Sequence, residues 1–461
     1  MEKNSLDEKN LSEENKSEKS QSDFMIERIK DRPVNKKKLF RRSAVTAGMA
    51  VIFGLIACLT FLVLEPVISN WLYPEEEAAP IVFPEDQEEM APEDMLSESV
   101  SNRELLETLA GSLALDEEEI NNILSGFVMN KENYKQMYSA MSAYVTELNH
   151  SMVTVTGVSS NLDWFNNVEE SKNQAPGVII ANTGKELLIL ADYGTLKKAE
   201  SMTLSFSCYA GLNGETYQVP VTLKNYDLTA NIAVLSVDIK DVAEELLADG
   251  GIRVATLGSS NIRNQVGLPI VALGSPLGIS NSVGYGMITA VAGQTNQADT
   301  NYKFFVTDIY GSNNGSGFLF NLQGQVIGVI SSQRPNPDLK NVVTALGISE
   351  LKKSIEKMSN GEEIAYLGIN GTDVTTDAHE NMGVPYGAYV KNVDMNSPSM
   401  EAGIKIGDVI TALGDKSINN YNDYINALMQ SEAGSSMKLT IMRPANQQYR
   451  EMEVKVTLKT R

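Results

Sequence analysis

The chain has 461 residues, with 38 Lys+Arg against 59 Asp+Glu, a formal net charge of −21, two cysteines and two histidines. That length predicts two or three domains, each with its own core, and the acidic balance argues against a nucleic-acid binder, which needs a basic stripe. Cys58 and Cys208 are too few for a disulfide framework, and so few Cys and His argue against a zinc site; no cofactor motif is evident.

Residues 1–42 hold 12 basic and 9 acidic side chains. Their lack of apolar periodicity predicts a disordered tail. An uncharged run at 43–64 follows Lys36-Lys37-Lys38-Leu39-Phe40-Arg41-Arg42. As a helix it would rise about 33 Å, matching a bilayer core of about 30 Å. The basic flank predicts one transmembrane helix at 43–66, with the tail cytoplasmic and the bulk of a single-pass cell-membrane protein outside. A secretory signal peptide is the competing reading; the length of the run and the lack of a small-x-small cleavage site favour the anchor.

Residues 67–131 form an acidic extracytoplasmic linker, with 16 acidic and 1 basic side chain between 71 and 120. The composition predicts a solvated, self-repelling spacer, with a site for cationic partners as the sharper alternative and short helices at 103–110 and 116–124. Tyr134, Met137, Tyr138, Met141, Val145 and Leu148 recur at helical spacing, which predicts an amphipathic helix packed on the next domain and closed by His150. From 151 to 348 short β-rich runs at 152–158, 178–180, 187–190, 202–206, 232–237, 270–273, 304–306 and 326–330 alternate with turn residues. They predict an all-β sandwich or a pair of barrels. A short helix at 350–358 and Asn360-Gly361 end this region. The domains are therefore 132–358 and 362–461, the second a small α+β unit with strands at 388–393, 437–442 and 451–458 and a helix near 421–430.

Tyr366-Leu367-Gly368-Ile369 opens the last domain, and Ser397-Pro398 and Ala402-Gly403-Ile404-Lys405-Ile406-Gly407-Asp408-Val409-Ile410 follow. This stretch resembles a PDZ domain of the HtrA family. The resemblance implies that Tyr366, Leu367, Gly368 and Ile369 hold the carboxylate of a peptide that adds a strand to the sheet. Upstream, Leu273-Gly274-Ser275-Pro276-Leu277-Gly278, Gly286-Met287-Ile288-Thr289-Ala290, Thr307-Asp308 and Asn321-Leu322-Gln323-Gly324-Gln325-Val326-Ile327-Gly328 resemble the HtrA protease domain. The expected fold is mainly β: a trypsin-like double β-barrel followed by a small α+β PDZ domain.

The family mechanism needs His, Asp and Ser in that chain order. The strand that ends in His in the family reads Ile189-Leu190-Ala191-Asp192-Tyr193-Gly194 here, placing Gly194, or Tyr193 with a one-residue slip, at the base position. The block that begins with Asp reads Asn231-Ile232-Ala233-Val234-Leu235, and Asp227, off register, reads as a turn residue. The nucleophile block reads Asn313-Asn314-Gly315-Ser316-Gly317-Phe318-Leu319. Counting back from Asn321 puts Gly315 at the Ser position; counting forward from Thr307-Asp308 puts Ser316 there. Either way the oxyanion loop is altered. No histidine lies between His150 and His379.

These substitutions predict a membrane-anchored HtrA-like pseudoprotease that binds protein C-termini or unfolded polypeptide and serves as a scaffold in envelope protein quality control. The alternative is a serine endopeptidase using Ser316 in a non-standard site, for example with Lys197 or Lys198 as base. A third reading makes the PDZ domain the only functional part. The resemblance also implies a homo-oligomer, although no segment of the sequence demands one.

Overall fold

The computed structural model describes residues 40–41, 44–58, 60, 80–84, 86, 131–162, 168–208, 217–262, 265–293, 297–332, 339–445 and 448–461. The chain divides into two units, Met1–Glu77 and Ala78–Arg461. In the first, residues 44–58 are helical, and Val45, Met49, Ile52, Phe53 and Ile56 are all exposed. Among the described residues no helix is long and apolar enough to cross a membrane. Residues 61–66 of the expected span lie outside the described residues, as do the tail at 1–39 and the helices expected at 103–110 and 116–124.

The first helix among the described residues of the second unit is α1 (Lys131–Leu148). The amphipathic stripe read from the sequence is only half used. Val145 and Leu148 are buried and Met141 and Tyr144 pack against the core, but Tyr134, Met137 and Tyr138 stay exposed. The helix meets the β-domain only at its C-terminal end, where the Tyr144 hydroxyl donates to the Asn321 carbonyl.

Strands β1 (Met152–Leu162), β2 (Val168–Asn182), β3 (Glu186–Asp192), β4 (Ser201–Phe206), β5 (Gln218–Pro220), β6 (Thr222–Asp227) and β7 (Ile232–Asp238) form one antiparallel sheet in the order 5-4-1-2-3-7-6. Strands β8 (Thr256–Leu257), β9 (Pro269–Ser275), β10 (Ser282–Ala292), β11 (Phe304–Tyr310), β12 (Ser316–Phe320), β13 (Gln325–Ile330) and β14 (Val342–Gly347) form a second, in the order 12-9-10-11-14-13-8. An additional β12–β13 pairing closes the second sheet into a barrel, with β8 added parallel to β13. Among the described residues no pairing closes the first sheet, so the expected two barrels are one closed barrel and one open, half-barrel sheet.

Several strands are apolar at nearly every position because both of their faces are buried. In β3, Leu187 and Ile189 enter the core of the first sheet while Leu188 and Leu190 enter a larger cluster. In β7, Ala233 and Leu235 take the first side and Ile232 and Val234 the second. In the other sheet Ile270, Ala272 and Leu319 fill the barrel, and Val271, Leu273, Phe318 and Phe320 face that same larger cluster.

The larger cluster continues through helix α4 (Ile348–Ser359) into the C-terminal domain, by way of Leu351, Ile355, Met358, Leu367, Tyr424 and Leu428. Two short helices precede it, α2 (Tyr193–Leu196) and α3 (Glu244–Leu247). The C-terminal domain is a PDZ fold. Its sheet runs β16 (Ile369–Asp373), β17 (Ala388–Val393), β18 (Val409–Leu413), β20 (Ser436–Ala445), β21 (Gln448–Thr457), with β19 (Lys416–Ser417) on β18. Helices α5 (Thr376–Met382), α6 (Pro398–Glu401) and α7 (Tyr421–Met429) pack around it, and β15 (Ala365–Tyr366) pairs with β22 (Lys459–Thr460). Strand β16 is an edge of this sheet.

The acidic spacer is not solvated throughout. Residues 80–84 and 86 lie along α4: Ile81 exchanges hydrogen bonds with the Asn360 side chain at 2.9 Å, and Ile81 and Phe83 pack on the core. Lys352 Nζ donates to the Pro84 carbonyl and to Asp86 Oδ1 at 2.7 Å. Apolar side chains and one well-placed cation outweigh the local self-repulsion at this point.

Burial alone would raise the Asp86 carboxyl, but hydrogen bonds from Lys352, Ser349 and Asn261 and the Lys352 charge hold it below the usual carboxylate range. A depressed folded-state value stabilises the fold above the unfolded value of about 4 and is lost as pH falls through the lower folded value. The melting temperature of the wild type should therefore exceed that of Asp86→Asn at pH 7, and the two should converge as pH falls below about 4. A difference independent of pH would show that the contact acts through packing alone.

Candidate functional site

The sequence placed three catalytic positions on the two sheets. The structure brings two of them together, Gly194 and Asn231. Asp192 caps the short helix α2, its Oδ1 accepting from Thr195 N at 2.8 Å, and its Oδ2 accepts from Asn231 Nδ2 at 2.6 Å. Asn231 has φ +58°, a left-handed conformation that Asn tolerates better than most residues. Its amide then lies against Gly194: a Cβ added at 194 would stand 2.7 Å from Asn231 Oδ1. The space a base would grow from is taken by the residue at the orienting position.

Tyr193, the base position after a one-residue slip, stacks on Tyr226 with ring centroids 4.3 Å apart. Burial and the neighbouring phenol push its hydroxyl above its ordinary value, so it stays protonated at neutral pH and accepts no proton.

The nucleophile loop folds onto itself. Ser312 N donates to the Pro276 carbonyl and Gly315 N donates to the Ser312 carbonyl, both at 3.0 Å. The Gly315 N–H is thus engaged inside a turn, where an oxyanion hole requires donors directed at a reacting oxygen. A Cβ at Gly315 would meet the Pro276 carbonyl oxygen at 2.6 Å and that of Ser312 at 3.0 Å. Ser316 opens β12, opposite Ser275, and is buried; among the described residues no side chain is hydrogen-bonded to its hydroxyl.

Lys197 and Lys198 are exposed on the turn after α2. The histidines are engaged elsewhere. His150 Nδ1 lies 2.6 Å from the Gly251 carbonyl, and His379 Nδ1 lies 2.8 Å from the Val384 carbonyl, with the His379 ring stacked on Tyr386. A cleft of about 200 Å³ bordered by Asn149, Thr154, Pro176, Gly274 and Asn281 lies between the two sheets, and none of the three catalytic positions borders it.

The four residues singled out in the PDZ domain form a complete anion cradle. Gly368 has φ +87°, and a side chain there would collide with Ser397, so glycine is required for the chain to turn its amides inward. Ser399 Oγ donates to the Gly368 carbonyl at 3.0 Å, and the Tyr366 hydroxyl donates to Asp394 Oδ2 at 2.8 Å, fixing the loop from outside. Burial and Asp394 push the Tyr366 phenol up, so it remains a donor.

The cradle holds a carboxylate from the protease-fold domain. Asp299, in the β10–β11 connection, accepts from Leu367 N at 2.7 Å and Gly368 N at 2.6 Å through Oδ2. Its Oδ1 accepts from Ile369 N at 3.0 Å and from the Tyr424 hydroxyl at 2.6 Å. Its own N–H donates to the Ile369 carbonyl at 2.8 Å. Behind it, Arg461 Nη2 donates to the Asp299 carbonyl at 2.5 Å, and Nη1 reaches Asp227 Oδ2 and the Tyr302 hydroxyl. Burial opposes the Arg461 charge, but Tyr302, Asp227 and Asp299 outweigh it and hold the guanidinium more firmly protonated than usual.

Asp227 does cap a turn, through Thr229 N and Ala230 N, and is also the buried counter-ion of Arg461. Sequence reasoning missed Asp299, Tyr302, Tyr424 and Arg461. Asp299 sits in a polar stretch that reads as a turn, and nothing local marks it as a ligand.

Residues 175–329 match the trypsin-like peptidase domain family and residues 365–456 match the PDZ domain family. The chain is 25% identical over 345 residues to the serine protease Do-like HtrA of Lactococcus lactis subsp. lactis (strain IL1403), covering 69% of this chain and 78% of that protein. It is 29% identical over 214 residues to the periplasmic pH-dependent serine endoprotease DegQ of Escherichia coli (strain K12), covering 45% and 46%. A solved structure of the HtrA-type protease AlgW with decapeptide aligns at 18% identity with a TM-score of 0.47, covering 69% of this chain and 98% of that one. Trypsin-like peptidase and PDZ domains in this order, with relatives of the same kind, make the chain a member of the HtrA family.

Proposed function

We propose that this chain is a peptide-binding HtrA-family protein whose protease-fold domain does not cleave. In this reading it acts as a binding and scaffold module in protein quality control at the cell envelope. The observation that carries the reading is the contact between Asn231 and Gly194, which fills the base position with a neighbouring amide. The internally bonded Gly315 amide and the Ser316 hydroxyl, to which no side chain among the described residues is hydrogen-bonded, support it, because nucleophile, base and oxyanion donors are altered together. The PDZ domain supplies the binding activity through the amides of Leu367, Gly368 and Ile369, toward protein C-termini or unfolded polypeptide. The envelope setting is supported by the periplasmic relative and by the apolar helix at 44–58 behind a basic flank, which we read as part of a single-pass anchor.

Incubated with a reduced, unfolded protein, the full chain should yield no fragments, and a fluorophosphonate should not label Ser316. Cleavage that disappears in Ser316→Ala would overturn the reading in favour of a non-standard serine endopeptidase.

The steric closure has its own test. Gly194→Ala displaces the Asn231 amide from Asp192, whereas in an Asn231→Gly background, which suits the left-handed backbone, there is nothing to displace. Urea unfolding of the four chains should give a coupling of about 1 kcal/mol, the net worth of one hydrogen bond. Additive effects would remove the argument from geometry.

A further inference from the structure

A peptide C-terminus offers a carboxylate and, on the same residue, a backbone N–H. Asp299 presents that pair of groups to the PDZ domain. Its carboxylate takes the three consecutive amides of Leu367, Gly368 and Ile369, and its N–H takes the Ile369 carbonyl. A side-chain carboxylate stands one methylene further from Cα than a terminal one. Asp299 has φ +55°, a left-handed conformation that Asp and Asn adopt more readily than other non-glycine residues. The residue is 1% exposed, so the carboxylate in the cradle is shielded from bulk water.

The neighbourhood fits a site built for a longer chain. Beyond the cradle lie the edge strand β16 and helix α7, the two walls against which an added strand would lie. The occupying segment touches the near end of both walls: Asp299 N donates to the Ile369 carbonyl of β16, and on α7 the Tyr424 hydroxyl donates to Asp299 Oδ1 and Asn422 Oδ1 accepts from Asn301 Nδ2 at 2.7 Å. Cavities of about 450 and 480 Å³ flank the plug, one bordered by Gln297, Tyr366 and Asp394, the other by Asn301, Asn422, Ile425 and Asn426.

We infer that Asp299 is an internal stand-in for a polypeptide C-terminus, so that the peptide site is closed in cis and a free C-terminal carboxylate must displace Asp299 to bind. This rests on the peptide-binding reading of the PDZ domain. The occupant is covalently attached and therefore present at high effective concentration. Apparent affinity falls in proportion to the fraction of molecules whose cradle is empty. Because Arg461 holds the Asp299 carbonyl, withdrawing the loop also loosens the contact between the PDZ and protease-fold domains.

The test measures fluorescence anisotropy of labelled decapeptides ending in Ala, Val, Leu or Phe, each with a free carboxylate or a C-terminal amide. They are added to the full chain, to Asp299→Asn and to Asp299→Gly. Both substitutions suit a left-handed backbone, and thermal unfolding verifies that each variant is folded. At least one free-carboxylate peptide should bind the variants tenfold or more tightly than the wild type, and its amide should not. Hydrogen exchange on the wild type supplies a readout independent of the variants: saturating peptide should speed exchange at 297–303. Equal affinity for wild type and variants, or bound peptide with unchanged exchange at 297–303, overturns the gate and leaves peptide binding standing. If no peptide binds any of the three chains while the amides of 367–369 exchange freely in the variants, the peptide-binding reading fails and the gate with it.

Discussion

A guanidinium removed from water must be met by acceptors, and Arg461 is met by acceptors from two parts of the chain that are remote in sequence. Its side chain is 3% exposed and that of Asp227 is fully buried. Asp227 ends β6, Tyr302 and Asp299 belong to the approach to β11, and Arg461 follows β22 of the PDZ domain. One cation thus ties the end of the first sheet, a connection of the second and the last residue of the PDZ fold to a common point. With the apolar cluster that runs through α4, it sets how the PDZ domain lies on the protease-fold domain. The loop that carries Asp299 is held from both sides, its carbonyl by Arg461 and its carboxylate by the cradle.

Much of this architecture was legible in the sequence because it rests on local patterns. The apolar runs at 187–190 and 232–237 read as strands; their burial on two faces emerged with the fold. Gly368 and Asp408 belong to the motifs that carry the PDZ resemblance, and the structure explains both: Gly368 has φ +87°, and an Arg443 fork meets Asp408 at 2.7 and 2.8 Å. What was not legible depends on partners far away in the sequence. Asp299 and Leu367 are 68 residues apart, Asp227 and Arg461 are 234 apart, and no periodicity or composition connects them. The stripe on α1 misled for the opposite reason. A helical repeat shows what a face could bury, and Tyr134, Met137 and Tyr138 find nothing to cover them within the described residues.

Packing in the protease-fold domain depends on close approach of its two sheets. Gly274 still lets the two sheets meet, since a Cβ there would stand 2.6 Å from Pro176 and 3.0 Å from the Gly317 backbone. The second sheet closes through the β12–β13 pairing around Ile270, Ala272 and Leu319. Three polar groups are turned inward: Asn231 to Asp192, Gly315 to Ser312, Asp299 to the PDZ loop. Each of these bonds satisfies a polar group that an open catalytic or binding site would leave to its ligand.

The turn at Ser312–Gly315 bears on how such a protein can evolve. A hydroxyl-bearing side chain at 315 meets two carbonyl oxygens before it meets a substrate, and a ring at 194 meets Asn231 before it meets that hydroxyl. If the domain does not cleave, as proposed above, each first step toward a catalytic set costs stability before it returns activity, and selection sees the cost first. Mutations would then have to arrive in a particular order, loop and residue 231 first, with the nucleophile and its base last. On that reading the geometry acts as a ratchet, making descent to an active protease harder than drift among binding functions that leave both positions as they are.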